Sequence, residues 1–143
     1  MEIRTEIEIA APPSEVWRVL LDFRRYPEWN PFIVQLKGEA KTGASLHLTI
    51  SLPDSNSERA LRAELLECEP EGELRWLGHL WMKGLFDTEH FVRLEARGAG
   101  TRVVHGQDFS GILLRFLMPR VTEAARGFVY MNQALKRRVE SRA

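Results

Sequence analysis

The chain has 143 residues, enough to bury a substantial core as one domain without disulfides or metals. Twenty Lys+Arg balance twenty Asp+Glu, and apart from the closing KRRVESR the basic residues are scattered. No electrostatic footprint for nucleic acid or an anionic membrane stands out, so neither is expected as a partner. The single cysteine, Cys68, excludes an internal disulfide framework and a CxxC site, and fits a reducing compartment. No stretch reaches the roughly 18 apolar residues of a membrane span, and MEIRTEIEIA has no apolar signal core; stable membrane insertion is not expected and a cytoplasmic location is.

Residues 2–9 alternate Ile3, Thr5, Ile7 and Ile9 with Glu2, Arg4, Glu6 and Glu8, the period of a strand with one dry face. APPSEVWRVLLDF then changes to helical spacing. Val16, Val19, Leu20 and Phe23 share a stripe, Pro13 suits the first turn, and Glu15 suits the positive end of the helix dipole. RRYPEWNPFI, residues 24–33, follows as a rigid elbow. Its two prolines predict extended or turn-like backbone at Tyr26 and Asn30. Its aromatic side chains either plug the bottom of a core, as Tyr26 is read, or line the mouth of a cavity, with Trp29 and Phe32 the candidate contacts.

Six further strands are predicted at about 32–40, 44–52, 59–69, 73–82, 86–97 and 101–110, divided by KTG, PDSNS, PEG, KG and RGAG. Such turn chemistry makes sequence neighbours antiparallel neighbours. From Leu117 the apolar positions Val121, Ala124, Phe128, Met131, Leu135 and Val139 fall on one stripe, predicting an amphipathic helix over 115–141, roughly 40 Å long at ~1.5 Å per residue. Pro119 marks its start or a kink. The expected architecture is α+β: a seven-stranded antiparallel sheet with short helices between strands 1 and 2 and one long C-terminal helix.

Within each strand one register is dry and should face that helix: Leu46, Leu48 and Ile50; Leu61, Ala63 and Leu65; Leu74, Trp76, Gly78 and Leu80; Val92 and Leu94; Val103 and Phe109, with Phe86 a further candidate ligand contact. His90, His105 and Gln107 share it. If RGAG is the loop and the dry faces coincide, Leu94 opposes Val103, Val92 opposes His105, and His90 opposes Gln107. Three inward polar groups therefore meet on an apolar wall. They either satisfy one another or orient a ligand. Burial should leave both histidines neutral at pH 7. From the helix, Phe128 and Met131 face the same space, while Trp81 and Leu77 point outward.

APPSEVWRVLLDFRRYPEWNPFI, FDTEHFVRLE, TRVVHGQDFSGIL and GFVYMNQALKRRVE together resemble the START-like helix-grip (SRPBCC) superfamily, in particular its bacterial polyketide cyclase/dehydrase branch. The resemblance spans nearly the whole chain. It implies a curved sheet wrapped around the long helix with an apolar cavity between them, and a small hydrophobic ligand such as a lipid, an isoprenoid or an aromatic. Two other functions stay open. One is an aromatase/cyclase or dehydrase in which His90 or His105 moves protons. The other is a protein-interaction module acting through Trp81 and Leu77. No phosphate loop, GxSxG or HExxH occurs, and in DTEHF Glu89 points away from His90, so neither a cofactor nor a metal is expected; a homodimer stays open.

Overall fold

The computed structural model describes residues 1–55, 57–79 and 82–141. Seven strands, β1 (Glu2–Ile9), β2 (Ile33–Lys37), β3 (Ser45–Ser51), β4 (Glu58–Glu69), β5 (Glu73–His79), β6 (Asp87–Arg97) and β7 (Gly100–Ser110), form one antiparallel sheet. Its order is β1-β7-β6-β5-β4-β3-β2, so the first two strands lie at opposite edges. Helix α1 (Pro13–Leu21) and the single-turn α2 (Tyr26–Trp29) carry the chain from one edge to the other. The long helix α3 (Met118–Glu140) lies on the concave face and packs against β1 and β7. Pro119 stands in its first turn and marks its start. Among the described residues, no helix is long and apolar enough to cross a membrane.

The β6–β7 hairpin has the expected register, with Leu94 opposite Val103, Val92 opposite His105 and His90 opposite Gln107. Its turn uses Gly98 at φ +58°. β4 slips one residue between Leu65 and Glu67, which turns Cys68 to the inner face opposite Leu74. β2 is shorter than predicted: Gly38 at φ +139° ends it. The predicted end of β5, including Leu80 and Trp81, lies outside the described residues.

The elbow corrects one expectation. Tyr26 is helical (φ −53°, ψ −38°) despite the following Pro27. Its ring is fully buried, its hydroxyl donates to the Leu20 carbonyl at 2.6 Å, and Phe23 and Trp29 meet it edge-on at 5.8 and 5.2 Å. Packing and one buried hydrogen bond thus override a local backbone preference. Asn30 is extended as expected, and its Oδ1 accepts from the Phe32 and Ile33 amides at 2.9 and 2.8 Å, fixing the entry into β2. Phe32 is thereby aimed at α3, where only a glycine admits it: a Cβ on Gly127 would lie 2.3 Å from the Phe32 ring.

Candidate functional site

Three small residues on neighbouring strands, Ala63, Gly78 and Thr88, lie side by side across β4, β5 and β6. Ala124 stands on the same side of α3. The surrounding positions are large, so this row leaves a cavity of about 110 Å³ between the sheet and the first turns of α3. Leu48, Ile50, Leu52 and Leu61 form its wall on β3 and β4; Phe86 and Phe109 stack at 5.9 Å on the other side; Phe32, Leu117 and Val121 close it from the elbow and the helix. The β3–β4 loop is clipped over α3. The Ser55 amide donates to Glu123 Oε2 at 2.6 Å, and Asp54 pairs with Arg126. A wider depression of about 430 Å³ between Phe23, Pro27 and Leu36 lies under the elbow; its other walls are Arg24, Gln35, Lys37 and Gly38.

The buried end of the cavity is polar. Trp76 lies flat on His90 at 4.6 Å with 6° between the rings, and Phe128 meets His90 edge-on at 5.6 Å. His90 Nε2 faces His105 Nε2 at 2.9 Å, His90 Nδ1 faces Gln107 Oε1 at 3.2 Å, and His105 Nδ1 faces Asn132 Oδ1 at 2.7 Å. Asn132 Nδ2 in turn donates to Thr5 Oγ1 at 2.8 Å, and the Thr5 hydroxyl donates to the His105 carbonyl. Burial keeps both imidazoles neutral. It pushes His105 down to about 4, against the Asn132 hydrogen bond, and takes His90 well below its ordinary value, helped by repulsion from His105 and opposed by Gln107.

Neutrality restricts the hydrogen-bond order. Each neutral imidazole donates once and accepts once, so the chain Gln107–His90–His105–Asn132 must run in a single direction. With Asn132 oxygen accepting from His105 Nδ1, His105 Nε2 accepts from His90 and His90 Nδ1 needs a donor. The Gln107 amide then turns its NH₂ to His90 and its oxygen to the cavity. The reverse order would turn Asn132 Oδ1 toward the Thr5 hydroxyl, whose one hydrogen is already given to the His105 carbonyl, so Thr5 fixes the first order. The site therefore presents the Gln107 oxygen, an acceptor, to a donor on a ligand.

Of the residues expected to contact a ligand, Phe32, Leu48, Ile50, Ala63, Trp76, Phe86, His90, Gln107 and Phe109 border this cavity. Trp29 does not: it is half-buried and packs edge-on against Tyr26. Val92, Val103, His105, Phe128 and Met131 are buried in the filled part of the core, with no place in the cavity wall. Leu80 lies outside the described residues. The sequence reading missed Thr88, although it shares the register of His90, and Asn132, which sits one turn after Phe128 on the inward stripe. It also missed Arg59 and Arg120, both of which border the cavity.

Three solved structures share the fold at 17–21% identity. DynU16, from the dynemicin biosynthetic locus, superposes with a TM-score of 0.75 at 21% identity over 98% of this chain; the chain spans about half of that protein, 47%. A START superfamily protein from Mycobacterium smegmatis gives 0.73 at 17% identity, covering 99% of each chain. The Zhui aromatase/cyclase from Streptomyces sp. R1128 gives 0.73 at 19%, over 99% of this chain and 94% of that one. No curated protein matches the sequence. The helix-grip sheet, the long helix and the cavity between them agree with the match of residues 1–140 to one sequence family, and the chain belongs to that family, described as polyketide cyclase/dehydrase and lipid transport.

Proposed function

We propose that the protein binds a small hydrophobic molecule in the cavity over Ala63, Gly78 and Thr88, with Gln107, held in place by His90, hydrogen-bonding a polar group at the ligand's inner end. The observation that carries this reading is the pairing of apolar walls with a buried polar end. A single ring burying roughly 150 Å² would gain about 4 kcal/mol at ~25 cal/mol per Å², before the entropy lost on association and any hydrogen bond are counted. Such a site is measurable by NMR titration with p-cresol and toluene. The wild type should bind p-cresol more tightly, and His90→Phe with Gln107→Leu should keep the fold, lose p-cresol and retain toluene. Equal retention of p-cresol by the double variant removes the polar group from the reading.

A second reading rests on His90 alone. With Nε2 backed by His105, His90 Nδ1 would have to exchange Gln107 for a bound enolisable chain in order to accept its proton and return it, as a cyclase or dehydrase requires. Loss of turnover of a polyketide substrate in the same double variant, with substrate binding intact, would put the enzyme in place of the carrier. Either reading suits a chain with one thiol in a reducing compartment and needs no cofactor.

A further inference from the structure

The two ends of the cavity differ in charge. Its buried end offers His90 and Gln107, 2% and 7% exposed. Its open end is bordered by Arg59 and Arg120, and no carboxylate is among the described residues of the wall. Arg59 stands in the dry register of β4, two residues before Leu61 and four before Ala63, and directly opposite Ile50. A strand that needed only a wall would carry an apolar residue there. Among the described residues Arg59 forms no ion pair with any carboxylate. Among the described carboxylates Arg120 reaches Glu123 Oε1, at 4.0 Å, and the other oxygen of that carboxylate is held by the Ser55 amide. Arg120 also lies in the first turn of α3, which holds no acidic residue, so the positive end of the helix dipole adds to the two guanidinium groups.

We propose that the ligand is an anion with an apolar tail, a carboxylate or a phosphate monoester on a ring or short chain, which enters tail first and leaves its anionic group between Arg59 and Arg120. This rests on the binding reading above and adds the ligand's charge to it. The guanidinium fork pairs with either anion in two parallel hydrogen bonds. Because the mouth is half exposed, its attraction is screened by salt, whereas the apolar wall is not. The cavity sets the size of the tail: with Ser55 held to Glu123, about 110 Å³ accepts a single ring or a few methylenes, not a long acyl chain.

The test compares 3-phenylpropionate with 3-phenylpropanol by NMR titration at low salt, with 3-phenylpropyl phosphate distinguishing a phosphate-headed ligand from a carboxylate. The wild type should bind one of the two anions about tenfold more tightly than the alcohol, and ~0.5 M salt should narrow that gap. Arg59→Gln with Arg120→Gln should remove the gap and leave the alcohol's affinity unchanged; Arg59→Glu with Arg120→Glu should exclude both anions and still admit the alcohol. Alcohol binding as tight as anion binding in the wild type overturns the anionic ligand but leaves the cavity reading standing. A gap that survives in both double variants overturns the role of the arginines, and binding of none of the three overturns both readings.

Discussion

The layer between sheet and helix has two halves that differ in residue size. Toward the C-terminal part of α3, Leu65, Leu74, Val92 and Val103 meet Phe128, Leu135 and Val139, and all are buried within one core cluster. Toward its start, the small row Ala63, Gly78 and Thr88 faces Ala124, and the space stays open. The first half carries stability, and the second carries the capacity to bind. The polar chain from Gln107 to Asn132 lies at their boundary, where full packing gives way to the cavity.

Truncation in the filled half should have the largest effect. Phe128 touches Phe32, His90 and His105 and has no exposed surface, so Phe128→Ala should cost about 3–5 kcal/mol in urea denaturation. A loss below about 1 kcal/mol would show that this half is not the better packed one.

The boundary itself should give a pH signature. An unfolded histidine titrates near ~6.5, whereas His105 is held at about 4 and His90 well below its ordinary value. The native state therefore binds fewer protons than the unfolded state as pH falls through that window. Stability is complete above ~6.5 and declines toward about 4, by ~1.4 kcal/mol per pH unit for each histidine. Between pH 7.5 and 5.0 the unfolding free energy should fall by at least about 2 kcal/mol. A flat profile would mean that the imidazoles reach solvent or keep their proton.

Outside both halves, Trp29→Ala should lower stability by roughly 2 kcal/mol through lost contact with Tyr26 while leaving p-cresol affinity unchanged. A fall in affinity would extend the site to the elbow. The reverse pattern is expected in the hollow half: Ala63→Leu should weaken p-cresol binding about tenfold and change stability by less than about 1.5 kcal/mol, because the added methyl groups enter existing space. A large stability loss there would mean that the cavity wall does not tolerate filling.

Much of this division can be read from the chain. Period-two alternation in β6 and β7, together with one short loop, sets a register that places His90 opposite Gln107. What periodicity does not encode is how far α3 is rotated and shifted over the sheet. The partnership of His105 with Asn132 and the fit of Phe32 over Gly127 therefore emerge only in three dimensions. Tyr26 shows the same limit from the other side, since its pre-proline position signals extended backbone and tertiary packing holds it helical. The cavity was legible in part: Ala63 and Gly78 lie in dry registers, but absence of volume is a property of neighbouring strands taken together.

The central claim is that the hollow half is the ligand site. Isotope-filtered NOE spectra of the labelled protein with p-cresol test it directly. Cross-peaks from the ring protons to the methyl groups of Ala63, Thr88 and Ala124 are expected, with none to Leu36 in the depression under the elbow. Cross-peaks to Leu36 alone, or to no methyl group at saturating p-cresol, would contradict it.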